Sequence, residues 1–190
     1  MPAFLLLPHG TVRHKVSTLT ALYHDCIGRG SMGAEAKLRE LGIKLPDYAR
    51  KPFAGMAYGR MKPFHVLGKV LTLAGHVPEV DGKVMYAGRL GDTLTTEQGY
   101  QAARLAGINL LGGIKEALGD LDRVAGMIRT LNYVVCTPDY YDVHKVANGV
   151  TDLLAEVYGD TKGIGCRATL GIQSLTRNHC FETVAELEIA

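Results

Sequence analysis

The chain has 190 residues, 47% of them apolar and 21% charged, which suits one well-buried soluble domain. Its 21 basic and 19 acidic side chains are interspersed and leave a formal charge of +2, so no broad basic field exists to gather nucleic-acid phosphates. Four widely separated cysteines form neither a CxxC pair nor a disulfide framework, which favours reduced, structural thiols, and no apolar run approaches the roughly 20 residues that span a bilayer.

Residues 1–31 read differently from the rest. They hold one acid, Asp25, several hydroxyls and only a short apolar run from Ala3 to Leu7. That pattern is compatible with an organellar transit peptide, which would make the protein mitochondrial; the plainer expectation is a loosely docked extension on a cytoplasmic protein. Residues 32–190 are expected to form the folded domain.

Ala34 to Leu41 has helical composition and is stopped by Gly42. A connector with two prolines follows, and then FHVLGKVLTLAGHVPEVDGKVMY gives strand-like runs broken at Gly68, Gly75 and Asp81-Gly82. The Asp-Gly pair predicts a tight hairpin, because both residues tolerate positive φ. The longest predicted helix is Thr95 to Leu118: Thr95 and Gln98 have capping-box spacing, an apolar stripe runs from Ala103 to Leu118, and Gly119 closes the end. Met127 to Cys136 is rich in β-formers, and TPDYYD turns the chain into a second helix striped by Val143, Val146, Val150, Leu153, Leu154 and Val157. Two strands close the chain, Cys166 to Leu175 and Cys180 to Ile189.

This order predicts a two-layer α/β domain with two main helices on one face of a six-stranded sheet. The uncovered face would expose apolar residues, so self-association is expected.

CRATLGIQSL alternates with a period of two, and its apolar set, Cys166, Ala168, Leu170 and Ile172, is expected to face the core. Arg167 then lies on the second face, where a solvated arginine is the commoner case. If a subunit interface encloses that face, its planar fork suits a small 2-oxo or 2-imino carboxylate. Glu182 opens the next strand and suits a water-handling carboxylate; the two are expected to face each other across an antiparallel pair, as site or as salt bridge. Asn148, beside Gly149, can donate to a ligand oxygen or to local backbone. Tyr58 can line a pocket, although ordinary packing is the commoner role. Cys136 and Cys166 read as inert core thiols, and His65 and His76 as packed or surface groups bordering strands. There is no HExxH or HxH metal spacing, no GxSxG elbow and no phosphate-binding loop.

Taken together, LTLAGHVP, the block Gln101 to Val134, HKVANGVTDLLAEVYG and CRATLGIQSL with FETVAELEI resemble the RidA/YjgF family of reactive intermediate deaminases, also called endoribonuclease L-PSP, in a divergent YjgF-like branch. The resemblance covers residues 32–190. It implies a chorismate-mutase-like α/β fold and a homotrimer with clefts between subunits. Archetypal members hydrolyse 2-imino and enamine acids to 2-oxo acids and ammonia without a cofactor. It further implies that Arg167 binds carboxylate, that Glu182 positions the hydrolytic water, and that Tyr58, Gly75 and Asn148 line the pocket. Ala74 stands where the archetype has a serine, and Thr169 where it often has a cysteine. A non-catalytic 2-oxo acid binder is the alternative. Endoribonuclease activity finds no support in charge or histidine spacing, and neither a metal nor nucleic acid is expected.

Overall fold

Helix formation in this chain follows its apolar stripes and its end signals. In the computed structural model, which describes residues 32–51 and 59–190, Ala34–Glu40 forms α1 and ends at Gly42 with φ 68°. The Ala34 amide donates to Asp122 Oδ1 at 2.6 Å, so a carboxylate distant in sequence satisfies the start of this helix. Thr96–Leu118 forms α2 with Thr95 as its cap: the Gln98 amide donates to Thr95 Oγ1 and the Thr95 amide to Gln98 Oε1. Val143–Tyr158 forms α3. The first 31 residues and Tyr58, for which the sequence raised expectations, lie outside the described residues.

Strands β1 (Phe64–Leu67), β2 (Val70–His76), β5 (Val124–Val135), β6 (Cys166–Ile172) and β7 (Phe181–Ile189) make one mixed sheet in the order β1-β2-β7-β5-β6. Only β5 and β6 pair in parallel; the other neighbours are antiparallel. Among the described residues the sheet therefore has five strands rather than six. β3 (Glu79–Val80) and β4 (Lys83–Val84) form a separate ribbon around the expected Asp81-Gly82 turn, with φ of 51° and 76°. The ribbon leaves the sheet where Pro78 lacks an amide donor and the buried Asn109 Nδ2 donates to the carbonyls of Val77 and Glu79, taking acceptors that a neighbouring strand would use.

Helices α2 and α3 run side by side in the same direction over one sheet face, where Leu71, Leu73, Val134, Phe181, Ala185 and Leu187 meet Ala103, Leu110, Ile114, Val150 and Leu153 in one core. Tyr100 donates to Asp152 and Arg104 pairs with Glu156 through both guanidinium ends, fastening the exposed seam between the helices.

His76 lies wholly inside this core, its Nδ1–H donating to the Ala74 carbonyl at 2.8 Å. Burial disfavours the imidazolium and lowers its pKa from 6.5 to about 4. Above pH 6.5 the ring is neutral in both folded and unfolded chains, and its contribution is complete. As pH falls from there to about 4, only the unfolded chain takes up the proton, so stability is lost by at most about 3 kcal/mol. Urea unfolding followed across that window should show the loss, and His76→Gln should flatten it.

Candidate functional site

Alternation along a strand defines two faces but not which one is buried, and β6 has the opposite facing to that expected. In the parallel register Thr130 stands opposite Arg167, Asn132 opposite Thr169 and Val134 opposite Gly171. Thr130, Asn132 and Val134 are buried beneath the helices, so Arg167 and Thr169 share the helix-covered side. Arg167 Nη1 donates to Asn148 Oδ1 and Thr151 Oγ1, each at 2.9 Å. Two polar residues one turn apart on α3 thus hold the guanidinium at the sheet edge. Thr151 escaped the sequence reading; its i, i+3 spacing from Asn148 is the signal that could have revealed it.

The apolar set of β6 consequently faces away from the helices. Leu170 is 45% exposed, and Cys166, expected in the core, is exposed too. Cys136 and Cys180 are buried, as expected for Cys136, and burial pushes both thiols up, that of Cys180 to about 12.

Glu182 lies on that open face. It stands opposite Tyr133 on β5, while its neighbours Phe181 and Thr183 point into the core. A bulge in β2, where Leu73 pairs with Ala185 and His76 with Thr183, brings Gly75 beneath the Glu182 side chain. A Cβ at Gly75 would stand 2.6 Å from Glu182 Cδ, so glycine is what makes room for the carboxyl group. Burial raises the Glu182 pKa above the ordinary glutamate value, which favours proton exchange with a bound molecule nearer neutrality. Ala74 presents a methyl group; its amide is taken by the Pro63 carbonyl and its carbonyl by His76.

The expected cross-strand pairing of Arg167 with Glu182 does not occur. β5 separates their strands, the register offsets them by three residues along β5, and they lie on opposite faces of the sheet. Strand spacing and rise put their Cα atoms about 14 Å apart. Two half-sites result: Arg167 with Asn148, Thr151 and Thr169, and Glu182 with Gly75.

A cleft of about 420 Å³ lies at the far end of β6, lined by Arg89, Tyr140 and Gln173 among others. Arg89 donates there to the Cys136 and Gln173 carbonyls and so ties the ends of β5 and β6 together. No group of three or more potential metal ligands gathers among the described residues.

Residues 35–177 match the family model described as "YjgF/chorismate_mutase-like, putative endoribonuclease". The chain belongs to the RidA/YjgF family. Protein TCP17 of Trypanosoma cruzi is 32% identical over 154 residues, covering 81% of this chain and 92% of that protein. Among solved structures, protein Atu1372 of Agrobacterium tumefaciens is 30% identical, with a TM-score of 0.73 and coverage of 89% of this chain and 99% of that one. An endoribonuclease-like protein of Shewanella oneidensis is 27% identical, with a TM-score of 0.76 and coverage of 83% and 100%. The fold is the chorismate-mutase-like α/β fold of this family, in a divergent branch. RidA/YjgF membership supports a small-molecule deamination or binding role. No helix among the described residues is long and apolar enough to cross a membrane.

Gly75→Ala tests the Glu182 half-site. It should leave folding nearly unchanged, because the obstructed atoms belong to a mobile side-chain end, but should lower any turnover that uses the carboxylate by roughly tenfold. Thermal melting and steady-state kinetics on the same preparation check both parts.

Proposed function

We propose that the chain is a cofactor-independent hydrolase of 2-imino and enamine acids, releasing the 2-oxo acid and ammonia, and that its site is completed between subunits of a homotrimer. The supporting observation is the division of the site: a guanidinium held at one sheet edge by Asn148 and Thr151, and a half-buried carboxyl beside Gly75 on the other face. Within one chain these groups cannot flank one small acid. Rotation about a threefold axis can bring the Arg167 edge of one subunit to the open face of the next. The apolar character of that face supports the same assembly, with Ile128 40% and Leu170 45% exposed.

In this reading Arg167 takes the substrate carboxylate through its fork, with the Asn148 and Thr151 oxygens fixing the guanidinium plane. Glu182, ionised, accepts a proton from water as the water oxygen adds to the imine carbon. The substrate enters as the protonated imine, and its C=N electron pair moves onto nitrogen to give a neutral carbinolamine. Glu182 then gives its proton to the amine as the C–N bond breaks, while the hydroxyl proton passes to the Glu182 carboxylate and on to solvent, leaving the carbonyl of the 2-oxo acid and free ammonia. Imines hydrolyse slowly unaided, so orientation and one placed water are sufficient catalysis.

The test is ammonia release from freshly generated 2-iminobutanoate and 2-iminopropanoate. Acceleration above the buffer rate is expected, falling away as pH drops through the raised pKa of Glu182. 2-Oxobutanoate binding that needs Arg167, without any turnover, would instead show a metabolite-binding protein.

A further inference from the structure

The register of the sheet aligns four polar side chains in one row on its helix-covered face. His76 on β2 stands opposite Thr183 on β7, Thr183 opposite Asn132 on β5, and Asn132 opposite Thr169 on β6. Such a row is foreign to a core otherwise made mainly of apolar side chains. Asn132 and Thr183 are 0% exposed. Asn132 Nδ2 reaches only long bonds, 3.4 Å to Thr130 Oγ1 and 3.4 Å to the Ala168 carbonyl. Its Oδ1, the Thr183 Oγ1 and the Thr169 Oγ1 are buried and have no partner among the described residues.

These atoms make no direct bond to one another. Adjacent strands are about 4.8 Å apart, and a bridging water links two oxygens up to about 5.5 Å apart through two ordinary hydrogen bonds. Three dry, unbonded oxygens in one row would each carry an uncompensated loss of hydration.

We propose that Thr169, Asn132 and Thr183 bind a file of internal water molecules, one in each gap between strands, running from the sheet edge inward towards His76. Thr169 is half-buried and lies two residues from Arg167 on the same face, so the file forms a hydrated rear wall to the Arg167 half-site. The proposal concerns water binding alone and does not depend on the deaminase reading.

The full chain is compared with Thr183→Val, Thr169→Val and the double variant, by chemical unfolding at one protein concentration and by ¹⁷O relaxation dispersion, which counts long-lived internal waters. With a water file, each valine strands a water, and each single variant should lower the folding equilibrium constant about five- to tenfold. In a dry row valine removes an unsatisfied hydroxyl, so a gain in stability would overturn the proposal. Thr169 and Thr183 lie on strands separated by β5, roughly 10 Å apart, where independent effects simply multiply. Departure from that product by threefold or more is expected for one connected file, and strict independence would overturn the continuous row. Thr183→Ser, which keeps the hydroxyl, should retain the water count. Finding no long-lived internal water in the unmodified protein would overturn the proposal whatever the variants do.

Discussion

Arg167→Ala should lower kcat/KM for 2-iminobutanoate by about 10²- to 10³-fold, the loss expected when a charge-assisted, bidentate grip on a carboxylate is removed from a partly enclosed site. The binding of 2-oxobutanoate should weaken in parallel, because carboxylate capture is common to substrate and product. Glu182→Gln should leave that binding nearly intact while removing turnover, since the amide is close in shape but cannot take a proton from water. The two variants together test the divided geometry. If Arg167 and Glu182 of one site come from different subunits, mixing the inactive variants and letting them reassemble as trimers restores intact sites. An intact site then needs a Glu182→Gln subunit, which keeps Arg167, beside an Arg167→Ala subunit, which keeps Glu182. Random assembly gives that arrangement in about one quarter of clefts, so about one quarter of wild-type activity should return. A site contained in one chain would regain none.

Gly149→Ala should have the largest effect on stability. A Cβ there would run into the Tyr100 carbonyl oxygen and stand 2.8 Å from the Arg104 amide nitrogen, both backbone atoms of α2. A side chain can rotate away from such a clash, but a helix backbone cannot, so α2 and α3 must separate along their seam. The expected cost is about 3 kcal/mol, which lowers the melting temperature by roughly 6–12 °C for a chain of this size. Because Asn148 adjoins Gly149 on α3, the same displacement should loosen the Asn148 and Thr151 bonds to Arg167 and weaken 2-oxobutanoate binding in whatever protein remains folded. Gly126→Ala is the matched control. A Cβ there meets nothing within 4 Å, and the change should stay within about 0.5 kcal/mol. Thermal melts of both variants at equal concentration decide the comparison.

The helices were legible in the sequence because their determinants are local. Thr95 and Gln98 lie three residues apart and bond each other's backbone, Gly119 takes a φ of 73° at the end of α2, and the valine and leucine stripe of α3 becomes its buried side. The Asp81-Gly82 hairpin was legible for the same reason. Of the site, the sequence pointed to Arg167, Asn148 and Glu182; Arg167 and Asn148 do meet, whereas the expected pairing of Arg167 with Glu182 does not form. Their placement relative to the sheet was not legible. The period-two pattern of Cys166 to Ile172 is unchanged when the strand is turned over, so the polar set could as well lie under α3 as away from it. Asn132 and Thr130 on the neighbouring strand, with Asn148 and Thr151 above, provide a polar lining on the helix side, and the apolar set faces the open side instead.

By itself, then, the sequence determined which segments become helix, strand and turn, since capping, periodicity and positive-φ preferences act within a few residues of their cause. Only the tertiary structure decided that β5 runs between β6 and β7, that Arg167 and Glu182 fall on opposite faces of the sheet, and that Thr169, Asn132 and Thr183 share one row. Strand order and register are fixed by contacts between segments tens of residues apart, and a pattern along one strand carries no record of its neighbours.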